Sequence, residues 1–256
     1  MFLYRTSQCF LHIHILSNPI PVVVPIEKKK FTCKNMHLLR WLLAAALVAA
    51  HSTYGSQWMF QSEKKWDQEW SAGSWDYMEK VLIERSKNAI IGSVFIPMYA
   101  SVNSTILDIG CGEGAISDFI SDYQKNSYVG VDLSKEAIRI ARSKRPHSTG
   151  VRFVHASVYD FMPRHHFDVI IFSDVLYYVD SEVIIKKYAE YLNPNGIIII
   201  SIFSYSMEKL MYENIFSVAR GLFQKLDELD LGGYTKKKID GNLEKTAFHL
   251  EIYRKK

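Results

Sequence analysis

Two short runs in the second half of the chain are apolar along almost their whole length, Phe167–Phe172 and Ile197–Ile202. Strands of this kind are buried on both faces, as in parallel sheets that helices cover on either side. Three more candidate strands precede them, at Thr105–Ile109, Ser127–Val131 and Val151–Val154. Segments with helical spacing alternate with these strands, and the alternation predicts a doubly wound α/β fold.

The remaining segments complete this pattern. Helices are predicted for Trp75–Tyr99, for Gly114–Tyr123, from the N-cap Ser134 onward, for Ser181–Leu192 and for Ser206–Leu222. Asn193–Gly196 is predicted to be a turn. The chain then continues into two candidate strands, Lys225–Leu229 and Ala247–Tyr253, with Gly232-Gly233 between them.

The positive net charge of the chain lies in its first 55 residues. They hold six of the 31 Lys and Arg residues and one of the 27 acidic residues, which leaves 25 basic and 26 acidic residues in the rest. A nearly neutral body has no electrostatic footprint for nucleic acid, so we expect no nucleic-acid partner. The spacing of Cys9, Cys33 and Cys111 predicts neither a disulfide framework nor a metal site.

The N-terminal segment has the pattern of a secretory signal peptide with its own methionine. Met36–Arg40 is a short basic start, Trp41–Ala50 is an apolar run too short to cross a bilayer comfortably, and Thr53–Gly55 offers small residues for cleavage. Membrane contact is expected only through this segment if it stays uncleaved, and the compartment is left open between the secretory pathway and the cytoplasm. The predicted division is a leader of unclear status (1–35), a signal-like or anchor segment (36–55) and a folded domain (56–256).

The first predicted strand, with the glycine-rich turn that follows it and the carboxylate of Asp132, predicts the kind of ligand. It runs into the glycine-rich turn Gly110–Ala115, and Asp132 follows the next apolar run. Glycines let a ligand approach the backbone, and a carboxylate at the end of the second strand accepts hydrogen bonds from ribose hydroxyls. The turn therefore predicts a nucleoside-containing ligand. Because it also fits the dinucleotide pattern G-x-G-x-x-A, an NAD-dependent oxidoreductase is one alternative.

Three features argue against a dinucleotide. Asp108 stands two residues before the first glycine, where its carboxylate can accept hydrogen bonds from an amino group, such as that of S-adenosylmethionine. Glu113 brings negative charge to a turn that a pyrophosphate would need free of it. The tail is predicted to be a helix and a strand pair, rather than a second mononucleotide-binding half.

Four motifs resemble those of class I S-adenosylmethionine-dependent methyltransferases over about residues 66–202, namely ILDIGCGEG, VGVDLS, FDVIIFSDVLYYV and LNPNGIIIIS. The resemblance implies a mostly parallel, seven-stranded Rossmann-like sheet with an antiparallel C-terminal strand and an N-terminal lid helix. Ser74–Tyr77, Ile83–Lys87 and Ser173–Tyr178 are similar to a narrower branch, the nodulation-protein-S-like proteins, whose namesake methylates an amine on a chitin-oligosaccharide signal.

The resemblance also implies roles for individual residues toward S-adenosylmethionine. Asp108 would meet its amino group, Asp132 its ribose hydroxyls, and Leu133 would pack on the adenine. Ser157 stands where many relatives have an acidic residue, so adenine contacts are expected from the backbone near it. The other residues expected to bind the cofactor are Gly110, Cys111, Gly112, Gly114, Val158 and Ser173, together with Trp75 and Tyr77 on the lid.

The fourth strand ends where the methyl group should meet its acceptor. Asp174 is the candidate base or acceptor-orienting group, and Tyr177 is expected to place an aromatic face near the sulfonium. The predicted function is N- or O-methylation of a small molecule by in-line displacement. Besides the oxidoreductase, the remaining alternative is a secreted, non-catalytic binding protein of the same fold.

Overall fold

A seven-stranded sheet organises the fold. Its strands are β1 (Ile106–Ile109), β2 (Tyr128–Asp132), β3 (Val151–His155), β4 (Phe167–Ser173), β5 (Leu192–Phe203), β6 (Phe223–Lys236) and β7 (Leu243–Lys255). Their order across the sheet is β3-β2-β1-β4-β5-β7-β6. β1 to β5 are parallel, and β7 is antiparallel to both β5 and β6. The predicted doubly wound, mostly parallel sheet is therefore confirmed.

The computed structural model describes residues 61–122, 127–147, 149–203, 209–236 and 243–255. They all belong to one compact unit that spans residues 51–256. The predicted leader and signal-like segment lie outside the described residues. Within the described ranges, every helix is too short or too polar to cross a membrane.

Seven α-helices are described beside the sheet. They are α1 (Glu63–Ser71), α2 (Tyr77–Lys80), α3 (Leu82–Ile90), α4 (Ile96–Tyr99), α5 (Lys135–Lys144), α6 (Ser181–Ala189) and α7 (Lys209–Leu222). A π-helical turn, Ile91–Phe95, joins α3 to α4, and two 3-10 turns span Ala115–Phe119 and Leu176–Tyr178. Ser134 caps α5 as predicted, because its Oγ accepts a hydrogen bond from the Ala137 amide at 3.1 Å.

The central strands are buried on both faces, as their composition predicts. On β4, Ile170 and Phe172 belong to one apolar cluster and Val169 and Ile171 to the other, and all four are fully buried. Burying a side chain of this size contributes about 1.5–3 kcal/mol. The strands are thus held by apolar packing from both layers, which leaves their carboxyl ends to carry polar groups.

Two predicted helices are wrong in detail. The segment Trp75–Tyr99 is interrupted at Val81, whose extended backbone (φ −85°, ψ 119°) separates α2 from α3. The segment after the glycine turn is a 3-10 turn, Ala115–Phe119, that ends at Ile120 in an extended conformation (φ −88°, ψ 141°). Its first hydrogen bond, from the Ser117 amide to the Gly114 carbonyl at 3.0 Å, spans three residues and sets the tighter winding.

One predicted turn and one glycine pair, expected between strands, both lie within the bounds of strands. Asn193–Gly196 lies within the bounds of β5, but its residues interrupt the pairing with β4: Phe167 pairs with Leu192 and Val169 pairs with Ile197, and Asn195 between them has a left-handed backbone (φ 63°). Gly232-Gly233 lies within β6, paired with Ala247 and Thr246 of β7. The connection between these two strands falls later in the chain than the glycines, because the hairpin is longer than the predicted strands.

Candidate active site

A cavity of about 500 Å³ lies at the carboxyl ends of β1, β2 and β4. Parallel pairing aligns these ends, since Ile109 of β1 pairs with Val131 of β2 and with Phe172 of β4. All but one of the residues predicted for the site line this cavity: Trp75, Tyr77, Asp108, Gly110, Cys111, Gly112, Asp132, Leu133, Ser157, Val158, Ser173, Asp174 and Tyr177. The structure therefore brings them together, while the contact of each with a ligand stays a prediction.

Gly114 is the exception. Its backbone is left-handed (φ 76°), and a Cβ there would lie 2.4 Å from the Phe153 ring. This glycine is needed for packing against Phe153 of β3. It is not one of the residues that line the cavity. Gly112 is also left-handed (φ 53°), but it does line the cavity, and a Cβ there would come within 3.1 Å of Trp70. Close approach to a ligand is therefore supported by position at Gly112 and not at Gly114.

Asp132 connects the glycine turn to the start of α5. Its Oδ2 accepts a hydrogen bond from the Gly112 amide at 2.8 Å, and its Oδ1 accepts one from the Ser134 amide at 2.8 Å. Burial raises the pKa of Asp132, and these two amides oppose the shift. Each carboxylate oxygen has a second lone pair, so both can also accept a hydrogen bond from a ligand hydroxyl.

Asp108 is a fully buried carboxyl group, and only one of its two oxygens has a hydrogen-bond partner among the described residues. The Tyr128 hydroxyl donates to its Oδ2, whereas its Oδ1 has no hydrogen-bond partner among the described residues. Burial raises the pKa of Asp108 to about 7 despite the hydrogen bond from Tyr128. A buried acceptor without a donor is costly, and a ligand ammonium group at Oδ1 would supply both the donor and a compensating charge.

The adenine end of the predicted site is built mainly from backbone. The Leu133 carbonyl contacts His155 Nε2 at 3.0 Å, and the Val158 carbonyl accepts a hydrogen bond from the Tyr188 hydroxyl at 2.9 Å. Ser157 Oγ accepts from the Tyr159 amide at 3.2 Å. Cys111, a free and partly buried thiol, lies nearby, and burial raises its pKa well above the usual value, so the thiol is protonated.

The opposite end of the cavity contains a buried ion cluster. Lys87 of α3 donates to Asp174 Oδ2, and its Nζ also lies 3.3 Å from Glu84 Oε2. Glu84 and Lys87 are 6% and 5% exposed. Asp174 has a left-handed backbone (φ 56°), unusual outside glycine, and its amide donates to the Ser201 carbonyl at 2.9 Å. Its Oδ1 has no hydrogen-bond partner in the described ranges.

The pKa values of Lys87 and Glu84 depend on the other groups of this cluster. Burial alone would lower the pKa of Lys87, but Asp174 and Glu84 outweigh it and leave that pKa raised. Burial also raises the pKa of Glu84, with Lys87 opposing and Asp174 adding to the shift. Lys87 is therefore protonated and held between two carboxyl groups. Both residues belong to the Ile83–Lys87 likeness, but no site role was predicted for them, because a Glu and a Lys three positions apart usually indicate a solvated helix face.

Aromatic rings close the cavity from the N-terminal side. Trp66 and Trp70 of α1 line it, although no helix was predicted there, and Trp66 meets Tyr178 edge to face at 4.9 Å between ring centroids. Tyr77, at the start of α2, is 46% exposed, and Trp75 lies before that helix. The expected lid is therefore built chiefly by α1. Trp75 Nε1 is a buried donor that lacks an acceptor among the described residues.

Helix α1 is attached to the wall of the cavity at Asp67. Its Oδ1 accepts hydrogen bonds from Ser134 Oγ at 2.6 Å and from the Glu136 amide at 3.1 Å. Burial opposes the shift, but the hydrogen bonds from Ser134 and Glu136 hold the pKa of Asp67 below its usual value. A carboxylate at the start of α5 also suits the positive end of the helix dipole.

The sheet order changes direction between β1 and β4, and at that point a glycine turn faces a strand-end carboxylate. This arrangement defines an α/β protein that binds a nucleoside-containing ligand. Residues 100–246 also match a family model described as a methyltransferase domain. The chain therefore belongs to this methyltransferase-domain family, and an oxidoreductase is not supported.

Curated relatives match in part. An O-methyltransferase of ubiquinone biosynthesis from Bradyrhizobium diazoefficiens is 32% identical over 98 residues, or 38% of each chain. Nodulation protein S from Sinorhizobium fredii is 30% identical over 80 residues, which cover 31% of this chain and 37% of that protein. An uncharacterized protein of Rickettsia prowazekii is 38% identical over 103 residues. The chain spans about two fifths of the length of several of these relatives.

Solved structures support the fold independently. The N-methyltransferase NodS from Bradyrhizobium japonicum, in complex with S-adenosyl-L-homocysteine, superimposes with a TM-score of 0.55 at 16% identity. The likeness covers 68% of this chain and 88% of NodS. The cyclase SpnF has a TM-score of 0.51 at 15% identity, so the same fold also serves a different reaction.

Proposed function

We propose that this protein transfers a methyl group from S-adenosylmethionine to a small-molecule acceptor, by N- or O-methylation. The observation that carries the proposal is the placement of two carboxyl groups around one glycine turn. Asp132 is hydrogen-bonded to the Gly112 amide, and Asp108, which lines the same cavity, has one buried oxygen without a partner among the described residues. These groups match the ribose hydroxyls and the amino group of that donor, and the family of the chain agrees with them.

The residues around the cavity would each act on the bound donor through position and charge. Asp108 would bind its ammonium group, Asp132 its ribose, and Leu133 and the backbone at Ser157 and Val158 its adenine. When bound, S-adenosylmethionine supplies a methyl group that is already activated on a sulfonium. Much of the remaining rate enhancement then comes from alignment of the acceptor and exclusion of water.

The aromatic wall and Asp174 would serve the transfer itself. Trp66, Trp70 and Trp75 line the cavity and would exclude water from it, and the centroids of the Tyr177 and Tyr178 rings lie 4.4 Å apart beside it. An aromatic face near a cation contributes roughly 0.5–2 kcal/mol. Asp174 Oδ1, which has no hydrogen-bond partner among the described residues, would accept the acceptor's proton.

The test is transfer of a tritiated methyl group from labelled donor into fractions of small molecules. The purified protein should label at least one fraction, and Asp132→Asn should reduce the labelling at limiting donor. Asp230→Asn is the matched control, because Asp230 lies on β6 with an exposed side chain. No labelling of any fraction, together with no binding of S-adenosylhomocysteine, would contradict the proposal.

A further inference from the structure

Tyr128 reaches the carboxyl group of Asp108 from the neighbouring strand. It is the first residue of β2 and is paired with Ile106, two positions before Asp108 on β1. Gly130 lies directly opposite Asp108 and has no side chain to intervene, so the Tyr128 hydroxyl crosses between the strands and donates to Asp108 Oδ2. Both side chains are buried, Tyr128 completely and Asp108 to 1% exposure. The pair is therefore held in place, because either partner would lose a buried hydrogen bond by turning away.

The Tyr128 hydroxyl decides which carboxylate oxygen a ligand can use. Asp108 lines the cavity, whereas Tyr128 is not one of the residues that line it. With Oδ2 of Asp108 taken by Tyr128, the oxygen left over is Oδ1, which has no hydrogen-bond partner in the described part of the chain. A tyrosine hydroxyl has one proton to donate, so it holds one oxygen and leaves the other for a ligand. Tyr128 would thus act on a ligand through Asp108.

The same hydrogen bond favours the ionised form of Asp108. Burial is the largest influence and raises the pKa of Asp108 to about 7, and the hydrogen bond from Tyr128 opposes this shift. Asp132 raises that pKa further, whereas Lys87 lowers it. The charged and titratable groups that face the Asp108–Tyr128 pair are Asp132 of β2, Lys87 of α3, Cys111 of the glycine turn and Arg145 after α5. Near neutral pH the free protein therefore holds Asp108 partly protonated, and an ammonium group at Oδ1 would displace that proton.

We infer that Tyr128 is a positioning residue for the methyl donor: its hydroxyl holds Asp108 Oδ2, Oδ1 binds the donor's ammonium group, and Asp108 gives up a proton to solvent as the donor binds. The inference rests on the proposed function, and it adds to the binding step a residue outside the cavity and a proton. Binding of the donor is then coupled to pH, because the ammonium group meets a carboxylate above the pKa of Asp108 and a neutral acid below it. The donor should bind more tightly as the pH rises through that value, which is about 7.

The experiment removes the hydroxyl and keeps the ring. In Tyr128→Phe, Asp108 loses the hydrogen bond that favours its ionised form, so its pKa rises and fewer molecules carry the carboxylate at neutral pH. Calorimetric titration with S-adenosylhomocysteine should give about five- to tenfold weaker binding at about pH 7, and similar binding at about pH 9. Methylthioadenosine, which shares the nucleoside but lacks the amino group, should bind both proteins equally. Tyr99→Phe is the matched control, since Tyr99 donates to Asp227 at 2.7 Å and neither residue lines the cavity.

A second measurement uses the unmodified protein. S-adenosylhomocysteine is titrated in two buffers of different ionisation enthalpy, and the difference in heat gives the number of protons released. A fraction of a proton per site should be released at about pH 6.5, and less at about pH 8.5. Absence of release, an unshifted pH profile in Tyr128→Phe, or an equal loss of affinity for methylthioadenosine would overturn the inference.

The two measurements keep the possible failures apart. Thermal unfolding verifies the fold of each variant, and the proton release decides the question if Tyr128→Phe does not fold. Failure of S-adenosylhomocysteine to bind the unmodified protein at any pH would instead contradict the proposed function. Binding without proton release would contradict only the role of Tyr128 and Asp108.

Discussion

Lys87 and Asp174 are 87 positions apart in the chain, yet the Lys87 ammonium donates directly to the Asp174 carboxylate at the end of β4. The contact joins the N-terminal helical segment to the edge of the sheet that carries the candidate site. It also places the Lys87 ammonium between the carboxyl groups of Asp174 and Glu84 in a buried setting. Both the stability of this edge and the properties of the candidate site depend on it.

Removal of Lys87 should therefore be strongly destabilising. In Lys87→Met, Glu84 and Asp174 face each other without a cation, and breaking a buried pair in this way costs about 3–5 kcal/mol. The free energy of unfolding in urea measures the effect. Lys87→Arg should retain most of the stability, and Glu84→Gln added to Lys87→Met should restore part of it. A Lys87→Met protein as stable as the original would contradict the ion cluster.

Asp132→Ala should weaken binding of S-adenosylhomocysteine. The substitution removes two charge-assisted hydrogen bonds to ribose, on the order of 2–4 kcal/mol, and also the contact with the Gly112 amide. Calorimetric titration gives the dissociation constant, with Asp230→Ala as the control. Unchanged affinity in Asp132→Ala would show that the ribose assignment is wrong.

Gly112→Val should abolish this binding. The backbone of Gly112 is left-handed, Trp70 lies 3.1 Å from the position of a Cβ, and a branched side chain would also occupy ligand space. Gly221→Val is a useful comparison, since a Cβ at Gly221 of α7 meets nothing within 4 Å. Fluorescence titration of both variants checks the prediction, and normal binding by Gly112→Val would refute close approach at the turn.

Asp108 should make stability depend on pH. Its pKa rises from the usual 3.8 to about 7 on folding, chiefly through burial, so the folded state binds the proton more tightly than the unfolded chain. Its contribution to the free energy of unfolding therefore grows as the pH falls from above 7 toward 4. Asp108→Asn should be more stable than the original protein at pH 8, with a flatter dependence in urea titrations. Parallel curves for the two proteins would contradict the assignment.

Asp67→Ala should loosen α1 from the cavity. The substitution removes hydrogen bonds to Ser134 Oγ and to the Glu136 amide, a loss comparable with that of a helix cap, about 0.5–2 kcal/mol. Release of S-adenosylhomocysteine should become severalfold faster in stopped-flow measurements of tryptophan fluorescence, which Trp66 and Trp70 report. The control is Asp76→Ala, just before α2. Identical rates of S-adenosylhomocysteine release in the two variants would contradict the view that Asp67 holds α1 over the cavity.

The sheet and the glycine turn were predictable because their signals are local. Uninterrupted apolar runs such as Ile197–Ile202 indicate strands buried on both faces, and parallel pairing then fixes where their ends meet. The same logic predicts that Asp108, Asp132 and Asp174 meet at one edge of the sheet. It is incomplete at Asn193–Gly196, where turn-forming residues lie within the bounds of β5 and interrupt its pairing with β4.

The remaining residues of the site could not be predicted from the sequence, because their roles depend on tertiary packing. Glu84 and Lys87 look like an ordinary surface pair, and only the cavity they enter makes them different. Trp66 and Trp70 stand in a polar segment without clear periodicity. Gly114 shows the converse error, because a glycine within a binding motif can be required by packing, here against Phe153.

The most direct test of the central claim is a calorimetric titration of the purified protein with S-adenosylhomocysteine and, separately, with NADH. The account predicts saturable binding of S-adenosylhomocysteine with one site per chain, lost in Gly112→Val, and no binding of NADH. Tight binding of NADH without any response to S-adenosylhomocysteine would contradict it.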